Sequence, residues 1–329
     1  MQRRIPLALT AIVALALTAC GGGPSGTPTG QGGLTTLKVG TLGIGSDAAI
    51  QLAVDKGYFK DEGLEVQTSV VANPPAGVAA AQSGQLDLTY TPSIPLLNAL
   101  SQNVPLTVVA AADGYSAEGV ANPDLSKVDD TGLLVRKDSG ITRPKDLEGK
   151  SVSVPARKAQ FEVTVSKVIK DDGGDPAKVN WLVLDPSSAM QSLSSGRIDA
   201  ASLISPLTAK AISEGNVLLA SPGVEFFGAS AVGLWVAGKS TVDSKKSSLQ
   251  AFQRAIYKAN AYANTHIDEA QQASAKITGT TIDVVKAGAV NYWPDAVKVE
   301  DIEKVGQSLV KLGFLAKPVK LGPDLLLGS

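Results

Sequence analysis

Apolar residues along this chain cluster in short runs separated by amphipathic stretches, and the two kinds of segment alternate. Leu37–Leu42 is a buried-strand pattern, followed by a Gly43–Asp47 turn. A helix follows, with Ile50, Ala53 and Val54 on one face and Gly57 as its stop. Leu64–Val71 is predicted as a strand, Pro75–Ser83 as a small-residue helix, Leu86–Tyr90 as a strand, Ile94–Gln102 as a helix and Leu106–Ala111 as a strand. Such a series describes a mostly parallel sheet with helices on both faces.

The alternation then restarts. Strands are predicted at Gly132–Val135, Ser151–Val154, Val179–Leu184, Ile198–Leu203, Val217–Ala220 and Ser230–Ala237. Helices are predicted at Gln160–Lys170, Ser187–Ser194 and Pro206–Ser213, and four more follow in Leu249–His266, Ile267–Ile277, Thr281–Gly288 and Val299–Leu312. Val78–Leu100 and Met190–Ile212 echo each other 112 residues apart, pairing Ser83-Gly84 with Ser195-Gly196, Asp87 with Asp199 and Ser93 with Ser205. Two copies are too few for a solenoid and fit two similar α/β lobes. Lobe one is expected at 37–115 plus 235–329 and lobe two at 130–230. Gly132–Lys137 and Ala231–Gly238 are expected to carry the chain between them.

The amino terminus has a different character. Arg3 and Arg4 precede an apolar run over Ile5–Leu17, then Leu17-Thr18-Ala19-Cys20. A basic start, a short apolar stretch and a small-residue cleavage site form a secretory signal, 1–19. The run falls short of the roughly 20 apolar residues of a spanning helix. Leu-Thr-Ala-Cys resembles the bacterial lipobox, which implies lipid attachment at Cys20 and anchoring to a membrane surface. Gly21–Thr36 holds seven glycines and two prolines in sixteen residues, a flexible tether with a reach of roughly 20–24 Å.

Composition narrows the chemistry. Hydrophobic residues make up 44% of the 329, enough for a core. Without 1–19 the chain has 28 basic against 31 acidic residues, so no cationic excess exists to hold nucleic acid. One cysteine and one histidine leave no disulfide framework and no Cys/His metal site. His266 alone cannot supply a nucleophile–base set, so no catalytic residues, metal or cofactor are expected. Gly43-x-Gly45-x-x-Ala48 imitates a dinucleotide fingerprint, but Val70–Asn73 lacks the acid that motif requires.

Ala53–Val66 (AVDKGYFKDEGLEV), the two Ser-Gly-x-[Leu/Ile]-Asp segments and Lys145–Lys150 (KDLEGK) resemble signatures of bacterial substrate-binding proteins of the nitrate/sulfonate/taurine type. The likeness runs over nearly all of Leu37–Leu315. It implies a two-lobed, type II periplasmic-binding-protein fold, hinged between lobes. It also implies a monomeric extracytoplasmic receptor that delivers a small organic or oxyanion solute to an ABC permease and its ATPase. Related folds serve fungal enzymes of thiamine-pyrimidine synthesis and membrane-coupled sensors, which are the alternatives.

In such sheets, ligands sit beyond the carboxyl ends of strands, near helix N-termini. The ligand-binding candidates are therefore Gly45, Ser46, Asp47, Thr91, Pro92, Ser93, Asp113, Tyr115, Arg157, Lys158, Gln160, Phe161, Ser205 and Phe227. Asp47 serves equally well as a cap for its own helix. Arg157 and Lys158 would favour an anion; their alternative is two solvated charges. Asp113 would favour a cationic or amine-bearing ligand, unless it pairs with Arg157 across the cleft. Tyr115, Phe161 and Phe227 are candidate walls, or ordinary core.

Overall fold

The computed structural model describes residues 33–328; the leader, Cys20 and most of the tether lie outside them. Two five-stranded sheets organise the chain. The first begins with β1 (Thr35–Thr41), α1 (Ala48–Asp55), α2 (Tyr58–Asp61), β2 (Leu64–Val70), α3 (Pro74–Gln82), β3 (Leu88–Pro92), α4 (Ser93–Ser101) and β4 (Leu106–Tyr115). A short helix, α5 (Ala117–Val120), lies on the way to the second sheet. That sheet is built from β5 (Thr131–Arg136), β6 (Ser151–Val154), α6 (Gln160–Asp171), β7 (Asn180–Val183), α7 (Pro186–Ser194), β8 (Ala200–Ile204), α8 (Leu207–Ser213) and β9 (Asn216–Ala220). The chain returns through α9 (Pro222–Phe227) into β10 (Ser230–Gly238) and ends in α10 (Lys239–Thr265), α11 (Ile267–Thr278), α12 (Ile282–Ala287) and α13 (Val299–Lys311).

Strand order is β2-β1-β3-β10-β4 in one sheet and β7-β6-β8-β5-β9 in the other. In each, one strand runs against the rest: β10 against β3 and β4, and β5 against β8 and β9. The architecture is the two-lobed α/β fold expected from the alternating pattern. Period-two alternation puts Trp235 in a core with Leu37, Phe59, Leu88 and Phe252, while Leu234 faces the opposite core with Ile94, Leu97, Ile302 and Leu309. The second sheet does the same with Leu133, Val152 and Ile169 on one face and Leu134, Leu193 and Leu203 on the other.

The internal echo has a physical basis. Asp87 Oδ2 accepts from Lys38 N at 2.9 Å, and Asp199 Oδ2 accepts from Ser151 N at 2.8 Å. Each aspartate thus stitches its segment to the neighbouring strand before the ladder proper begins. Both preceding glycines, Gly84 and Gly196, need positive φ (76° and 71°) to reverse the chain. For this reason β3 and β8 start two residues later than the apolar pattern predicts.

Two expectations are corrected. β4 continues to Tyr115, so Asp113–Tyr115 is strand rather than loop; it pairs with β10, where Gly233 N donates to Asp113 Oδ1 at 2.9 Å. The crossings between sheets are 116–130 and 221–229, whereas Gly132–Lys137 and Ala231–Gly238 fall largely or wholly within strands. Gly132 and Gly233, within these two segments, are close-packing points. A Cβ on Gly132 would lie 2.6 Å from Thr208 Cγ2, and one on Gly233 would run into Asp113 and Tyr90.

Candidate functional site

The carboxyl ends of strands from both sheets converge on a cavity of about 160 Å³. The first sheet supplies Leu42 and Ile44 beyond β1, Asn73 and Pro74 at the start of α3, Tyr90 and Pro92 of β3, and Asp113–Tyr115 of β4. The second supplies Pro155 and Ala156 beyond β6, Ala159–Phe161 at the start of α6, and Ile204 of β8. Asp130 enters from the first crossing, Pro186 from α7, and Asn291 and Tyr292 from the segment between α12 and α13.

That last segment is held by side-chain mimicry of the backbone. Asn264 Nδ2 donates to Trp293 O at 2.7 Å and its Oδ1 accepts from Trp293 N at 3.0 Å. The Trp293 indole donates to Ser46 O at 2.8 Å, and Gly114 N donates to Tyr292 O at 3.0 Å. The lobes also meet directly, where Asn98 Nδ2 donates to Lys158 O at 2.7 Å, and the first crossing is held to the same segment by Val290 N donating to Lys127 O at 3.0 Å.

Carboxyl groups dominate its polar chemistry. Asp113 is 7% exposed and accepts from Tyr90 Oη at 2.9 Å and from Gly233 N. Burial pushes its carboxyl up, against the bonds from Tyr90 and Gly233. Asp130 accepts from Tyr115 Oη at 3.2 Å and is held well above the carboxylate range, first by burial and then by the charges of Asp113 and Asp129. Asp47 folds back to accept from Ile44 N at 3.1 Å. Its Oδ1 is buried without a hydrogen bond of ordinary geometry. Burial lifts this group to about 7, and Asp113 adds to the rise. Among the described residues, no Lys, Arg or His lines the cavity.

The structure brings some of the sequence candidates together and separates others. Pro92, Asp113, Tyr115, Gln160 and Phe161 line the cavity. Gly45, Ser46 and Asp47 form a buried 3-10 turn beside it, where a Cβ on Gly45 would come within 3.2 Å of Asn291 Nδ2. Thr91 and Ser93 flank Pro92 but are buried, at 0% and 1% exposure. Ser205 donates its backbone N–H to Asp130 O at 2.6 Å and is absent from the lining.

Arg157 and Lys158 turn away. The Arg157 guanidinium is half-exposed and grips Glu162, its Nε 2.8 Å from Oε2, and Lys158 N donates to the same carboxylate at 2.5 Å. The alternative Asp113–Arg157 pairing is therefore absent; Glu162, in the first turn of α6, takes the arginine instead. Phe227 also leaves the cleft: it packs edge-on against Phe226, ring centroids 4.8 Å apart, in the apolar cluster at the crossings. Tyr90, Asp130, Asn291 and Tyr292 are cavity residues that the sequence reading did not select.

With the geometry in place, the comparisons can be stated. Residues 46–270 match the family described as NMT1/THI5 like. The chain is 27% identical over 200 residues to a taurine-binding periplasmic protein of Escherichia coli, covering 61% of this chain and 58% of that one. It therefore spans less than two thirds of that relative's length. It is 31% identical over 240 residues to a protein of Haemophilus influenzae named for thiamine biosynthesis, covering 69% of this chain and 68% of the other. The fold matches the alkanesulfonate-binding protein of Xanthomonas axonopodis pv. citri, bound to MOPS, with a TM-score of 0.71 at 16% identity, covering 87% of this chain and 96% of that one. Sequence and fold agree: the chain belongs to the NMT1/THI5-like family.

Proposed function

We propose that this protein is an extracytoplasmic solute receptor of an ABC importer, held to a membrane through Cys20 and acting as a monomer. One observation carries the reading: a largely apolar cavity lies between two lobes, at the strand ends of both sheets. The named binding-protein relatives support it. In this reading lobe one (37–115 plus 235–329) and lobe two (130–230) close about the crossings, bury a small organic solute and present the closed form to a permease. No helix among the described residues is long and apolar enough to cross a membrane, which fits tethering by a lipid.

The cavity supports binding more than catalysis. Among the described residues its lining holds no histidine, cysteine or lysine, and its carboxylates are engaged with tyrosine hydroxyls and a backbone N–H group. The test is a thermal-shift screen against a library of small metabolites, using the full chain and an Ala156→Trp variant that fills the cavity. Ligand at a hundred times its dissociation constant adds about 2.7 kcal/mol. A rise with one chemical class, lost in Ala156→Trp, is the expected result; a rise that survives in the variant places the ligand elsewhere.

A further inference from the structure

The cavity's charge deepens this reading, on which the inference rests, by naming the class of solute. Burying a carboxylate costs several kcal/mol unless a counter-charge accompanies it. Asp113 and Asp130 both reach the cavity wall, yet the wall offers no cation of its own. The nearest sequence candidate, Arg157, is spent on Glu162. Asp47 adds a third acid, 4% exposed and close enough to Asp113 for the two charges to oppose each other.

Two of the helix N-termini at the cavity point the same way. An anion site would use their free N–H groups. Here α3 and α7 both begin with proline, which has none, whereas the start of α6, which also reaches the cavity, carries no side-chain cap. Asn73 Oδ1 accepts from Ala76 N at 3.0 Å, and Asp185 Oδ1 accepts from Ser188 N at 3.0 Å. Four aromatic residues share the wall with aliphatic ones: Tyr90, Tyr115, Phe161 and Tyr292. Ring faces beside carboxylates attract cations.

We infer that the cavity takes a small organic cation, a protonated amine or amidine on a flat apolar body, with the positive group on Asp113 and Asp130 and the body against Tyr90, Phe161 and Tyr292. Such a ligand supplies the missing counter-charge, and an amidine offers two parallel N–H groups to one carboxylate. The same two acids then become a source of selectivity, since a sulfonate or nitrate would meet carboxyl groups where it needs donors.

Four probes of similar size test this on the full-length protein: benzamidine, benzylamine, benzyl alcohol and benzenesulfonate. Thermal shift and titration calorimetry should show benzamidine and benzylamine binding at least tenfold tighter than the other two. Asp113→Asn keeps an acceptor for Gly233 N, and Asp130→Asn keeps one for Tyr115. Each should fold and lose at least tenfold in affinity for the cations. Equal or tighter binding of the alcohol or the sulfonate overturns the inference, as does cation binding unchanged in both variants or no binding of either cation. The solute-receptor reading is judged separately. A neutral or anionic metabolite whose binding is abolished by Ala156→Trp would leave that reading standing and refute only the charge assignment.

Discussion

The Tyr115 hydroxyl donates to Asp129 Oδ1 at 2.7 Å, joining the last residue of β4 to the crossing that leads into β5. The same carboxylate accepts from Thr131 N at 2.9 Å and Thr131 Oγ1 at 2.7 Å, and its Oδ2 accepts from Val224 N at 2.9 Å on the returning crossing. One buried side chain therefore ties together both strands that span the lobes. Asp129→Ala would leave four donors unpaired, at about 1–3 kcal/mol for each that water cannot reach. We expect a loss of roughly 3 kcal/mol or more in denaturant unfolding. Tyr115→Phe, which removes one donor, should cost about 1 kcal/mol.

Arg157→Ala should leave solute affinity within about twofold, because the guanidinium points away from the cavity and faces Glu162. Titration calorimetry with benzamidine checks this. A tenfold loss would mean that the α6 entry rearranges to bring Arg157 inward.

Asn264 touches no cavity space, yet both its amide atoms hold Trp293 and so set the position of Tyr292. Asn264→Ala should lower solute affinity. Asn264→Asp, which keeps the acceptor for Trp293 N, should recover part of it. Equal affinity in all three proteins would show that the Tyr292 segment needs no such clamp.

Stability should fall as pH rises through neutrality. Asp47 rises from 3.8 to about 7 on folding, mainly through burial. Between those values the folded chain binds more protons than the unfolded one. This contribution is complete below pH 3.8 and is lost as pH climbs through about 7. For Asp47 alone the swing is roughly 4 kcal/mol. Asp113 and Asp130, raised by burial and facing Tyr90, Tyr115, Gly233 and each other's charge, add to it in the same sense. The ligand-free protein should therefore melt higher near pH 5 than near pH 8 on this account, and Asp47→Asn should flatten the slope.

Much of this was legible from residue pattern. Alternating apolar runs gave both sheets, and the paired Ser-Gly-x-x-Asp segments marked equivalent stitches in the two lobes. Strand-end logic found Asp113, Tyr115 and Phe161. Pattern failed where long-range partners decide. Arg157 is aimed by Glu162, which reads as an ordinary acid on a helix. Tyr90 sits at a core position of its strand and reaches the cavity only with its hydroxyl edge beside Asp113. Asn291 and Tyr292 arrive from 180 residues away through the Asn264 clamp. Asp130 stands next to Asp129, and nothing local says that one ties the crossings while the other lines the cavity; the adjacent pair before a strand was the available signal.

The most direct test is mass spectrometry of small molecules carried by the full-length protein purified from its own cells and released by denaturation. The account predicts one species at up to one molecule per chain, bearing an amine or amidine, and missing from Ala156→Trp. An anion as the bound species, or an equal load on Ala156→Trp, would contradict it.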